Sequence, residues 1–290
     1  MECGGFSRCH PAVNFILFLG AIVLCAVFWH PVWLAGTLVC AGVYFVLLRG
    51  RAAWKQLALL LPFCLVIAGV NPVFNTRGDT VLFFLFGRPY TQQALAYGVV
   101  VAGILLAMLI WFGCFHVVMT GDKVTSLFGN LLPSVSLLLV MVFRLVPEFL
   151  RKTGQIVDAR RSIGKGRDAA TREKVQEGGT VVSAMTSWAL EGSLVTGDSM
   201  RSRGYGTGKR TSFQIYRMTV RDWILLGLEL VLLSLVILAA ALGQVQTVFL
   251  PFYRAAPLSW GIGVYCAFLL IPTALELWER FRIHRAIKKI

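Results

Sequence analysis

From residue 11 to residue 48 the chain carries no Asp, Glu, Lys or Arg, and His30-Pro31 divides this stretch in two. As a helix rising about 1.5 Å per residue, each half is long enough to cross roughly 30 Å of hydrocarbon. Over all 290 residues, 57% are hydrophobic and 14% charged, where a soluble domain carries about 25% charged residues. That balance excludes disorder, a solenoid and an ordinary cytosolic enzyme. It implies an all-α polytopic membrane protein.

Six spans are expected, at 12–29, 32–48, 56–70, 93–119, 222–243 and 258–279. The third is short and is read as stopping at Asn71-Pro72. The fourth holds one ionisable residue, His116. The chain then divides into an N-terminal membrane part (1–120, four spans), a cytoplasmic coupling segment (121–221), and a C-terminal membrane part with a basic tail (222–290). The orientation follows from the cations, because cytoplasmic loops retain Lys and Arg. With the N-terminus inside, 25 of the 28 Lys and Arg fall on the cytoplasmic side, and only Arg77, Arg88 and Arg254 fall outside. Both termini are therefore expected in the cytoplasm of a prokaryotic cell, with the plasma membrane as the location.

The first apolar stretch is followed at once by another span and lacks a small-residue cleavage site, so a removed signal peptide is not expected. The seven Cys, at 3, 9, 25, 40, 64, 114 and 266, show neither metal-ligand spacing nor a disulfide framework. No metal or cofactor is expected on this chain. No internal repeat of the transporter kind is visible.

Residues 124–221 carry the information. The stretch 134–150 is apolar enough to span, but Arg144 and Glu148 interrupt it and Pro147 is expected to kink it. A seventh span would export the basic segment that follows, so this stretch reads as a helix near the interface or beneath the membrane. A polar connection is expected over 162–179, and helical spacing resumes over 180–203 through Val181, Met185, Trp188, Val195 and Met200.

Two helix ends in this segment bear arginine. One reads Asp158-Ala159-Arg160-Arg161 and stops near Gly164; the other reads Ser202-Arg203-Gly204-Tyr205-Gly206. Arginine in a last turn before glycine suits the helix terminus and its dipole, worth about 0.3 to 1 kcal/mol. Two well-capped helices are thus the bland reading. The pairing favours a second one, because a planar guanidinium that never loses its charge anchors well in an acidic pocket of a partner.

With Asn71-Pro72-Val73-Phe74-Asn75, Arg144-Leu145-Val146-Pro147-Glu148, and Met200 to Gly206 followed by Lys209-Arg210-Thr211, the sequence resembles a known family. It is the transmembrane T component of energy-coupling factor (ECF) transporters, which includes cobalt-transporter permease subunits. The likeness runs from Asn71 to about Asp222. The family's signature is a pair of Ala-Arg-Gly motifs; here the first is Ala159-Arg160-Arg161 and the second Ser202-Arg203-Gly204. The central arginine is present in both, and in the first either Arg160 or Arg161 takes that position. The resemblance implies a non-catalytic subunit of an ABC-type importer for vitamins or metal ions. It would join two ABC-type ATPases, one per arginine motif, to a membrane-embedded substrate-binding S component. ATP and Mg would be handled by the ATPases. The apolar stripes on 134–150 and 180–195 would face the S component or pack within the chain.

Gly204-Tyr205-Gly206-Thr207-Gly208-Lys209-Arg210 imitates a phosphate-binding loop, but Arg203 and Arg210 stand where that loop needs Gly and Ser or Thr. Nucleotide binding by this chain is not expected. Topology and lipid headgroups account for the basic 201–210 stretch without nucleic acid. His116, Glu229 and Glu276 are the main ionisable residues within spans, and no catalytic constellation accompanies them. Structural pairing or partial solvation is expected for all three. The competing functions are a self-contained channel or secondary transporter, which needs its own polar pathway, and a membrane enzyme.

Overall fold

A computed structural model of the chain describes residues 5–75, 80–85, 88–129, 133–163, 171–208, 216–245, 247–248, 254–255 and 259–288. A 3-10 turn at Gly5–Arg8 leads into α1 (Pro11–Val27), α2 (Pro31–Arg49), α3 (Arg51–Phe74) and α4 (Gln92–Val118). Then come α5 (Gly121–Gly129), α6 (Pro133–Ser162), α7 (Thr171–Ser202), α8 (Val220–Ala241) and α9 (Trp260–Ile287). Two antiparallel pairings lie in the connections: β1 (Val81–Leu85) with β2 (Arg88–Thr91), and β3 (Thr247–Val248) with β4 (Arg254–Ala255). The chain forms two compact units, one from 1–120 with 216–290 and one from 121–215.

In the first unit, α2, α3, α4, α8 and α9 are long and apolar enough to cross a membrane. Helix α1 has 17 residues, about 25 Å, which is at the lower limit for a span. The chain is a multi-pass, all-α membrane protein. The pairs His10-Pro11 and His30-Pro31 are both helix starts. His10 Nδ1 accepts from the Ala12 N–H at 3.2 Å and His30 Nδ1 from the Val32 N–H at 3.3 Å. The following proline occupies the first helical position, where its missing N–H costs nothing.

The core of this unit is aromatic. Phe18 meets Phe6, Trp111 and Phe115 edge-to-face at 5.8 to 6.0 Å, the geometry that aligns ring edges with ring faces. Thr37 Oγ1 and Tyr265 Oη share a buried hydrogen bond of 2.8 Å between α2 and α9. Near the first residues, Asp222 ties α1 to α8 by accepting the His10 N–H at 3.2 Å. Thr219 and Asp222 complete a reciprocal cap at the start of α8, satisfying N–H groups that a helix terminus leaves open.

The boundaries of three segments differ from the sequence reading. The third span does not stop at Asn71-Pro72: α3 runs on to Phe74 with Pro62 and Pro72 inside it. Proline at 72 cannot donate to the carbonyl of Ala68, and that carbonyl faces α4 at Gly98. A Cβ on Gly98 would lie 2.8 Å from the Ala68 oxygen and 3.1 Å from the Asn71 Cβ. The missing bond and the missing side chain together let α3 and α4 approach closely. The expected connection over 162–179 is also shorter, since α7 already begins at Thr171. Glu, Lys and Gln favour helix there, and Gly178-Gly179 does not outweigh them. Residues 164–170, including Gly164, lie outside the described residues. The basic tail from 280 is the end of α9, not an appendage. Its Arg280 is held by Glu276 at 3.2 Å and by the Leu47 carbonyl.

In the second unit, α6 continues through Pro147 as one helix. The Ser136 hydroxyl donates to the Thr125 carbonyl at 3.2 Å, fixing α5 against α6. Helices α6 and α7 are antiparallel. Phe149 packs on Trp188 with centroids 5.3 Å apart, Lys152 Nζ lies 5.9 Å from the same ring, and Arg160 meets Glu177 at 3.7 Å. Thus as α6 advances, its partner residue on α7 moves back. Gly178, Gly179, Gly192 and Gly197 of α7 all face open space.

Candidate functional site

The second arginine motif sits on a well-formed helix stop. Gly204 takes φ +79°, a region where a side chain is strained and glycine is not. Its N–H donates to the Arg201 carbonyl at 3.0 Å, and the Tyr205 N–H reaches back to Met200 at 3.0 Å. These two bonds make a Schellman terminus, with Arg203 as the cap residue between helix and turn. Arg201 is thus the cation of the last helical turn, and Arg203 lies one residue past it, where the sequence reading put it inside. The Ser202 hydroxyl is spent on the Ser199 carbonyl at 2.9 Å. Residues 201–208 are all exposed, and Arg203 has no ion pair among the described residues.

The first motif divides its two arginines. Arg160 turns toward α7, with its side chain only 27% exposed and its Nη2 3.7 Å from Glu177 Oε1. Its Nε is buried without an acceptor. Arg161 is 68% exposed and has only a loose 4.0 Å contact with Asp158. Ala159 is exposed beside them. The guanidinium open to a partner at this end is therefore that of Arg161, while Arg160 is engaged within the chain.

The ends lie far apart. Arg160 touches α7 near its beginning and Arg203 follows its last residue, so the intervening helix separates them by roughly 40 Å at 1.5 Å per residue. No single small pocket spans such a distance. Between the ends, α6 and α7 enclose an apolar groove of about 500 Å³ lined by Phe149, Val181, Val182, Met185 and Ala189. Leu138, Phe143 and Leu150 of α6 and Leu190, Leu194 and Val195 of α7 are largely exposed. An unpartnered apolar surface of this kind marks a place of interaction.

The ionisable residues of the spans fall into three situations. His116 is exposed. Glu276 is buried and paired with Arg280. Glu229 is fully buried, and neither carboxylate oxygen has a hydrogen-bond partner; the expected pairing or solvation does not hold for it. Among the described residues no group of three or more His, Cys, Asp or Glu is placed to hold a metal ion.

The sequence matches the CbiQ family, cobalt transport protein, over residues 6–215. The chain belongs to that family. As a cobalt transport family member it is a membrane permease of a transport system, and the matched region includes both arginine motifs. No curated protein matches the chain. In this family member, sequence reasoning missed Glu177, which sits in the stretch taken as a connection, and the isolation of Glu229. An acid at the start of a second antiparallel helix was the signal available for the first. For the second there was none, because isolation depends on every neighbouring helix.

Proposed function

We propose that the chain is the energy-coupling T subunit of an ECF-type ABC importer for vitamins or metal ions. It links two ABC-type ATPases to a membrane-embedded S component, in a prokaryotic plasma membrane with both termini cytoplasmic. The carrying observation is the pair of cationic helix ends roughly 40 Å apart on two antiparallel helices. Such a separation suits two grooves on two separate ATPases better than two contacts on one. Arg203 serves one groove, with Ser202 and Gly204 shaping the helix stop. Arg160 and Arg161 serve the other beside Ala159, and the exposed Arg161 is the more accessible of the two. The apolar surfaces of α6 and α7 suit the S component. Chemistry stays with the ATPases, which bind ATP and Mg; this chain contributes no catalytic residue and binds no cofactor.

The test is charge reversal at both ends, Arg161→Glu with Arg160→Glu and, separately, Arg203→Glu. Each is expected to abolish uptake and weaken ATPase co-purification while membrane insertion persists. Retained recruitment and uptake in the combined variant would overturn the assignment. Glu229 favours one alternative, a self-contained secondary transporter, since an isolated carboxylate within a span is a common element of proton pathways. Substrate flux by the purified chain alone in liposomes would support that reading.

A further inference from the structure

At the end of the bundle where α1 and α8 begin, a cavity of about 300 Å³ opens between the first residues and the chain leading into α8. Its lining includes Arg8, His10, Tyr216, Arg217, Arg221 and Asp222. The charge there is unbalanced. Among the described lining residues the one carboxylate, Asp222, is committed to the His10 N–H and to the N–H and hydroxyl of Thr219, at 2.8 to 3.2 Å. Arg221 shares Glu279 at 3.5 Å and remains about half exposed. Arg8 and Arg217 have no ion pair among the described residues. His10 accepts at Nδ1, so its Nε2 carries the proton and is a further donor. Burial pushes the nearby Cys9 thiol up to about 11, so Cys9 brings no negative charge. Apart from the committed Asp222, the described lining is rich in donors, with more positive charge than its carboxylate balances.

The surroundings say what kind of anion. On α8, directly past the pocket, Val220, Trp223 and Ile224 are 61 to 78% exposed, and the same face continues through Leu228 and Val231. A soluble anion makes no use of this surface. A molecule with a phosphate head and a hydrocarbon body uses both, and an exposed tryptophan at that junction marks the membrane–water boundary. We propose that the pocket seats the phosphate headgroup of an anionic phospholipid, with its acyl chains along the outer face of α8. Guanidinium pairs match phosphate oxygens in a planar, bidentate manner, and basic pockets between spans are suited to acidic headgroups.

The experiment measures binding of phosphatidylglycerol and of phosphatidylcholine to the purified full chain in detergent by native mass spectrometry, with inorganic phosphate as competitor. Phosphatidylglycerol is expected to bind at least about fivefold more tightly than phosphatidylcholine, since each basic residue near a charged surface contributes about that factor. The double variant Arg8→Gln, Arg217→Gln should lose this preference, and Arg282→Gln, Arg285→Gln, which removes equal charge from the exposed end of α9, should keep it. Equal binding of the two lipids, or equal loss in both double variants, would overturn the proposal. So would displacement of the lipid by millimolar inorganic phosphate, which would make the site one for a soluble anion. If the first double variant does not fold, the two wild-type comparisons still decide.

Discussion

Replacing Glu177 with Gln separates the two roles that Arg160 can play. At 3.7 Å and an effective dielectric of about 20, the bare attraction is about 4 kcal/mol. Both side chains keep about a quarter of their exposure, so water screens the pair and side-chain ordering opposes it. The net value for such pairs is about 1 kcal/mol at most. Glu177→Gln therefore costs the second unit little stability. If an acidic groove on an ATPase competes with Glu177 for the same guanidinium, removing the competitor returns up to that 1 kcal/mol to the complex, about a fivefold gain in affinity. The assay is titration of the detergent-solubilised permease with the ATPases, for wild type, Glu177→Gln, Arg160→Gln and the double variant. The gain should vanish when Arg160 is absent and shrink in about 1 M salt, where exposed charges are screened within a few ångströms. An unchanged affinity in Glu177→Gln, or a gain that survives the loss of Arg160, would refute the competition and leave Arg161 as the residue that docks.

Three further outcomes follow from particular residues. Gly98→Ala puts a Cβ against the Ala68 carbonyl and should destabilise the α3–α4 contact by about 1 to 3 kcal/mol, read as a lowered thermal midpoint in detergent; an unchanged midpoint would show that the helices do not meet there. Gly204→Ala strains a left-handed position by about 1 to 2 kcal/mol, so amide exchange over 199–205 should accelerate while that in α8 does not. Glu229→Gln replaces a buried carboxyl group that has no hydrogen-bond partner to lose, so its thermal midpoint should stay close to that of wild type; a large drop would reveal a bond to this side chain.

The spans were legible because charge-free sequence has a single outlet, and His30-Pro31 marked where α2 begins. Helix limits were less so. Asn71-Pro72 has the composition of a stop, yet α3 continues through it, and the Ala68 carbonyl that Pro72 cannot bond lies against Gly98, a residue on another helix. Gly178-Gly179 has the composition of a linker, but the polar helix formers before it set the start of α7 seven residues earlier than the glycines suggest. Two helix ends with arginine before glycine could be read from the residues, while their reading as a pair of motifs came from the family resemblance; the glycine at 204 takes the left-handed conformation that such a helix stop implies. That Arg160 turns inward and Arg161 outward could not, because it depends on which residue of α7 lies opposite. The same holds for the cation-rich pocket, whose members come from the first residues and from the chain leading into α8, far apart in sequence.

The four glycines of α7 have a consequence for the life of the subunit in the cell. Each costs a helix about 1 kcal/mol relative to alanine, and none recovers it through a close contact with the described residues. A helix weakened this way opens readily, and an opened strand is what a protease cuts. If the partners proposed above cover α7, copies left without them would be clipped along this helix and cleared, and the abundance of the permease would follow theirs.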